Sequence, residues 1–142
     1  MPEVIQVGAL RLTFLQSKHD TNGALDMFEA LVPPNARMPV AHYHRDWEET
    51  AYVLEGTVAF KVAGKRIDAK QGDSIFIPRG VVHSFTNETQ APARMLGVLT
   101  PGVLGPEFFR EVGALTKPGT PPDPAKMAEV MKRHGLIPVP DA

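Results

Sequence analysis

The stretch HYHRDWEETAYVLEG, residues 42–56, decides how this chain is read. Two histidines stand two apart, a pair of glutamates follows, and a strand-like run closes on a glycine. In a β-strand, residues i and i+2 point to the same side, so His42 and His44 project together. Two imidazoles side by side on a buried wall are costly unless both stay neutral or a cation binds between them. A divalent metal does that, and imidazole suits Zn, Cu, Fe and Ni. The competing reading is a pair of ordinary polar residues at the start of a surface strand. Face periodicity leaves the accompanying carboxylate open: Glu49, Ala51 and Val53 share one side, and Glu48, Thr50, Tyr52 and Leu54 the other.

Outward from this stretch, glycines and prolines punctuate short runs rich in Val, Ile, Phe, Leu and Thr, the pattern of a β-sandwich or barrel. LRLTFLQ (10–16) and GALDMFEALV (23–32) read as early strands, the second with some helical character. VAHYH, ETAYVLEG, TVAFKVAG, KRIDAKQG, DSIFIP, HSFTN and ARMLGVLT follow as successive strands. Alternation is clearest where Val58, Phe60 and Val62 oppose Lys61. After Pro101 the spacing turns helical, at Phe108, Val112 and Leu115, with Pro106 suited to a first turn. A second helix is expected to start at Asp123 as N-cap with Pro124 next, to bury Met127, Val130 and Met131, and to end at Gly135. The expected organisation is a barrel over 1–116 and, over 117–142, a Pro-rich linker and a C-terminal helix packing on it.

Composition narrows the function classes. A chain of 142 residues with 43% hydrophobic and 22% charged residues is an ordinary globular one, long enough for one sizeable core. Net charge is −1 with no basic run, so neither nucleic acid nor a membrane surface is an expected partner. There are no cysteines, which excludes disulfides, thiolate metal sites and cysteine nucleophiles. The N-terminal apolar residues are interrupted by Glu3, Gln6 and Arg11, a poor signal-peptide core, so a cytoplasmic location is expected.

A second stretch, GDSIFIPRGVVHSFTN (72–87), completes a pattern that the first begins. Together they resemble the cupin superfamily (RmlC-like, cupin 2 barrels). Its first motif runs His-x-His, three or four residues, Glu, six residues, Gly, met here by His42, His44, Glu49 and Gly56. Its second runs Gly, five residues, Pro, one, Gly, two, His, three, Asn, met by Gly72, Pro78, Gly80, His83 and Asn87. One departure is Ala36, where the family often has Gly; Asn35 beside it tolerates a left-handed backbone and can make the turn.

The resemblance implies an all-β antiparallel jelly-roll barrel of six or eight strands, with His42, His44, Glu49 and His83 converging on one divalent ion. Fe, Mn, Ni, Zn and Cu are all compatible with that set. Spacing to Gly56 and the family pattern both select Glu49, leaving Glu48 as a solvated charge. The segment after the barrel looks like the tail of small bacterial cupins compared with quercetin dioxygenases. By that likeness the expected function is dioxygenase-like chemistry on a small organic substrate, Glu49 moving from ligand to general base. The same ligands serve isomerases, lyases and decarboxylases, and a binding or sensing module without turnover is the reading from another class. A homodimer is expected by analogy. Trp47 is placed either as a shield of the site or as an edge cover, Phe60 and Phe85 either as pocket walls or as plain core, and the Phe108/Phe109 helix either over the mouth or outside.

Overall fold

The computed structural model describes residues 2–38 and 40–140. Eleven strands and two helices follow in chain order: β1 Glu3–Val7, β2 Leu10–Gln16, β3 Asp26–Val32, β4 His42–His44, β5 Glu48–Glu55, β6 Thr57–Val62, β7 Lys65–Lys70, β8 Ser74–Ile77, β9 His83–Thr86, β10 Ala93–Thr100, α1 Gly105–Leu115, α2 Pro124–Arg133 and β11 Leu136–Pro138. They form two antiparallel sheets, ordered β1-β2-β3-β10-β5-β8 and β11-β4-β9-β6-β7. This is the all-β jelly roll with two short C-terminal helices that the sequence led us to expect.

Period-two burial explains the sheets. In β3, Asp26, Phe28, Ala30 and Val32 face inward, and in β5 Ala51 and Val53 do so while Tyr52 is exposed. The helical character of 23–32 gives way because β3 pairs on both sides, with β2 and with β10. Eleven strands exceed the six or eight expected, and two of them, β1 and β11, were not among the nine segments read as strands. β1 is a five-residue edge strand whose polar Glu3 and Gln6 break the alternation, and β11 is three residues long.

Two polar residues fix the joints. Asn87 is fully buried, donates from Nδ2 to the carbonyls of Val32 (2.9 Å) and Ala91 (2.8 Å), and accepts from the Thr89 amide (2.9 Å). It thereby locks the loop after β9 to the end of β3. Buried Asp26 accepts from the amides of Lys18 (2.7 Å) and Gly105 (3.0 Å), tying β3 to the first residue of α1. Asn35 has φ +66°, so it makes the left-handed turn ahead of β4.

The helices close one end of the jelly roll. Phe109 of α1 meets Phe14 (5.6 Å) and Phe28 (5.4 Å), whose rings are themselves 5.5 Å apart. Asp123 caps α2, accepting from the Ala125 and Lys126 amides, and buried Met127, Val130 and Met131 form its inner stripe. Gly135, at φ +91°, turns the chain back so that β11 adds to β4 with Leu136 opposite His44 and Pro138 opposite His42. The C-terminal segment is therefore an edge strand of the histidine-bearing sheet as well as a packed helix. No helix among the described residues is long and apolar enough to cross a membrane.

Candidate metal centre

β4 contributes His42 and His44, and β9 contributes His83, the register partner of His42. Glu49 enters from β5 in the facing sheet, so the cluster bridges the two sheets. All three histidines are buried, and one ring nitrogen from each falls within 4.8 Å of the others. The Nε2 atoms of His42 and His44 are 3.2 Å apart. Glu49 Oε1 lies 3.7 Å from His44 Nε2 and 4.0 Å from His83 Nε2.

Backbone carbonyls set two of the three tautomers. His42 Nδ1–H donates to the Val40 carbonyl at 2.8 Å, and His83 Nδ1–H to the Val81 carbonyl at 3.0 Å. Each ring thus carries its proton on Nδ1 and turns the Nε2 lone pair inward, the arrangement that prepares an imidazole to ligate. His44 has no such orienter: its Nδ1 is buried without a hydrogen-bond partner among the described residues. It is held instead by Trp47, whose ring stacks on it at 4.7 Å and 21°. Trp47 is completely buried.

Burial dominates the electrostatics. His42 is pushed down to about 3 by desolvation and by the neighbouring His83. Desolvation also lowers His44, with His42 and His83 adding to it, and lowers His83. Glu49 is pushed up to about 7 because its carboxyl sits in the same dry space, without a lysine or arginine partner among the described residues. The adjacent Glu48 is the opposite case. It points outward, pairs with Arg79, and is held below the usual carboxylate range.

These atoms fit a metal ion. Donors bound at about 2.1 Å around one ion stand roughly 3.0 Å apart in adjacent octahedral positions and roughly 4.2 Å apart in opposite ones. The observed 3.2, 3.7 and 4.0 Å lie inside that span. Four buried side-chain polar atoms among the described residues lack a hydrogen-bond partner, and three of them, on His44, Trp47 and His83, belong to this cluster. A buried polar atom left so costs about 1–3 kcal/mol, and a cation would relieve the one on His83 Nε2 directly.

His42, His44 and Glu49 open onto a cavity of ≈ 90 Å³ at the closed end of the jelly roll. Phe108 and Phe109 line it, so α1 forms part of its wall. Phe85 lines it too, whereas Phe60 is buried beside Phe85 but outside the cavity. Met127, Met131 and Leu136 belong to the wall; the two methionines were read in sequence only as packing residues, because helical spacing says which face is apolar and not what that face covers. His19 and His134 stand apart from the cluster, paired with Glu107 and with Glu111 (2.7 Å) respectively.

Fold and cluster together define a class: a jelly roll with an internal, histidine-lined site. The chain belongs to the cupin domain family, whose model matches residues 28–99. A quercetin 2,3-dioxygenase of Bacillus subtilis is 34% identical over 97 residues, which is 68% of this chain and 28% of that protein. The tetracenomycin polyketide synthase protein TcmJ of Streptomyces glaucescens is 29% identical over 67 residues, which is 47% of this chain and 45% of that protein. Across the curated relatives it matches, the chain spans 28% to 58% of their length. Among solved structures, a predicted oxalate decarboxylase from Thermotoga maritima has a TM-score of 0.63 at 27% identity, covering 71% of this chain and 92% of that one. A polyketide cyclase from Streptomyces resistomycificus has a TM-score of 0.59 at 28% identity, covering 70% of this chain and 72% of that one.

Proposed function

We propose that this cupin is a metal-dependent, dioxygenase-like oxidoreductase acting on a small organic substrate. Nε2 of His42, His44 and His83 and the carboxylate of Glu49 would hold one divalent transition ion. The observation that carries the reading is the convergence of inward imidazole nitrogens and an unpaired carboxyl in a buried site that opens on an apolar cavity. When bound, such an ion supplies a Lewis acid for a substrate oxygen and, if redox-active, a centre for reaction with O₂. The likeness to a quercetin dioxygenase supports the oxidative form. A small-molecule partner, a homodimer and a cytoplasmic setting belong to the same reading by likeness to other small cupins.

The chain's own residues divide the work. The carbonyls of Val40 and Val81 hold His42 and His83 in one tautomer, so neither ring has to reorganise to ligate. Glu49, at about 7, is poised to take a proton from a substrate hydroxyl or enol at its carboxylate oxygen near neutral pH. The apolar wall excludes water, which strengthens both effects. Oxygen uptake by Fe-, Mn-, Ni- and Cu-loaded protein over a panel of phenols and enols tests the reading. Metal-dependent uptake with at least one substrate supports it. Turnover without oxygen uptake points to an isomerase or lyase, and binding without turnover to a sensing module; either result contradicts the oxidative form.

Metal binding by this set releases protons in a definite direction. The buried histidines are already neutral at pH 7, so Glu49 is the group that must lose one. About half a proton is expected to be released per ion at pH 7, rising toward one near pH 6 and falling toward none near pH 8. Affinity therefore rises with pH through this window and then levels off. Calorimetry in buffers of different ionisation enthalpy reads the release directly, and Glu49→Gln abolishes it.

Trp47 is a positioning residue for His44 on this account. Trp47→Leu is expected to weaken metal affinity about 10-fold, the scale of losing a partner that orients a ligand. Trp47→Phe, which keeps an aromatic face, retains most of it. Trp47 is the only tryptophan, so its fluorescence offers a second readout: quenching by Cu²⁺ saturates at one equivalent, and a His83→Ala variant loses that saturation.

A further inference from the structure

The cavity constrains the substrate more closely than the ligand set does. Seventeen of its twenty lining residues are apolar, and the three others, His42, His44 and Glu49, sit at the candidate metal centre. No lysine, arginine, serine, threonine or asparagine among the described residues lines it. A dicarboxylate or a phosphorylated sugar would lose its hydration there and find no partner for its charge beyond the metal end, while the Glu49 carboxylate would repel an anion. An uncharged hydrocarbon body loses nothing by the same transfer and gains contact with the wall.

Size gives a second limit. A dry cavity of about 150 Å³ admits benzene, and drug-sized ligands occupy pockets of about 300–1,000 Å³. The ≈ 90 Å³ found here is smaller than the first of these, so even one ring enters only if the wall yields. The wall is built to yield a little. Four of the chain's six methionines, Met38, Met95, Met127 and Met131, line the cavity. Methionine is unbranched with three rotatable bonds, so it repacks around a ligand at small cost. A body of three fused or linked rings would instead require α2 to leave its place, since Met127 and Met131 lie on one helical face and β11 is hydrogen-bonded to β4 beyond them.

We infer that the substrate is an uncharged compound with a hydrocarbon body of about one ring, which directs a single oxygen-bearing end toward His42, His44 and Glu49, and that the C-terminal segment sets this limit. The polar end of this inference rests on the metal-site reading; the body and its size do not. Six of the seventeen apolar wall residues, Phe108, Phe109, Val112, Met127, Met131 and Leu136, lie in α1, α2 and β11, beyond residues 28–99 that match the family. The C-terminal segment thus closes an apolar wall that the strands begin, and the resulting preference separates the chain from the oxalate named for its Thermotoga maritima neighbour.

The test uses full-length protein labelled with ¹³C at the methionine methyls, observed by NMR both metal-free and Zn-loaded. The probes are p-cresol, 2-naphthol, oxalate and glucose 6-phosphate. In metal-free protein p-cresol is expected to shift the Met127 and Met131 methyls, while oxalate and glucose 6-phosphate leave them unmoved. 2-Naphthol is expected to bind the parent at least about tenfold more weakly than p-cresol, and Met131→Ala, if folded by circular dichroism, to close that gap; Met127→Ala is the second variant should the first not fold. Shifts of these methyls by oxalate or glucose 6-phosphate as strong as those by p-cresol would overturn the substrate class. Equal binding of 2-naphthol and p-cresol by the parent, or no response to p-cresol, would overturn the size limit and the cavity assignment respectively. If no metal binds but p-cresol still shifts the methyls, the metal-site reading fails and the hydrocarbon-binding inference stands.

Discussion

A His42→Ala/His83→Ala variant is expected to fold and yet to bind Co²⁺ or Ni²⁺ at least about a thousandfold more weakly than the parent. Loss of a group that merely orients a ligand costs about 10–100-fold in affinity, and this variant removes two of the proposed ligands themselves. Folding should survive because the substitutions delete buried polar atoms, one of which, His83 Nε2, has no hydrogen-bond partner among the described residues. Calorimetric titration measures the affinity, and urea unfolding measures the fold. An acid limb in the same unfolding data provides an internal check. His42 stays unprotonated in the native state down to about 3, whereas in the unfolded chain it takes up a proton near its ordinary value of 6.5. Between those values the unfolded state binds more protons, so metal-free parent loses stability as pH falls. His83 is shifted in the same direction. Glu49, raised to about 7, works the other way, its contribution falling as pH rises between its ordinary carboxylate range and neutrality. The double variant keeps the Glu49 contribution and loses two of the histidine ones, so its stability falls less steeply on acidification. An equal slope in both proteins contradicts the buried, neutral histidines described above.

The second large effect concerns the turn that ends the first motif. Gly56 has φ +78°, and a Cβ added there would stand 2.8 Å from the Pro92 carbonyl oxygen and 3.0 Å from the Ala93 Cα. These are backbone atoms at the entry to β10, just before it shifts register against β5 between Arg94 and Met95, so they cannot swing aside as a side chain would. Gly56→Ala is expected to cost about 3 kcal/mol, combining about 1–2 kcal/mol for a left-handed alanine with the displacement of that backbone. Gly64 is the matched control. Its φ is +79° and nothing lies within 4 Å of an added Cβ, so Gly64→Ala should cost only the conformational part. Chemical denaturation of the two variants compares them, and equal losses would show that the close approach to Pro92 carries no weight.

How far the sequence could be read follows from which residues carry local signals. The pairing of His42 with His44 is a matter of strand period, and Asp123, Pro124 and Gly135 mark a helix by capping chemistry that acts within a turn. Those features were legible because their physics is local. The choice between Glu48 and Glu49 needed motif spacing, and the structure shows the reason: Glu49 turns toward the histidines while Glu48 turns outward to Arg79. Trp47 was undecided because its place depends on the turn between α2 and β11, where Gly135 packs against its ring. β11 itself carries no period of its own; it exists because β4 offers an edge. The cavity wall was hidden for the same reason. Met127 and Met131 announce an apolar face, but only the docking of α2 beside α1 turns that face into a boundary of the histidine-lined space. Long-range contacts of this kind leave no signature in residue spacing.

Elemental mass spectrometry of untagged protein, purified without chelator beside the His42→Ala/His83→Ala variant, tests the central claim most directly. The account predicts close to one equivalent of Fe, Mn, Ni, Zn or Cu in the parent and none in the folded variant. A parent that stays metal-free even after reconstitution with each of these ions would contradict it.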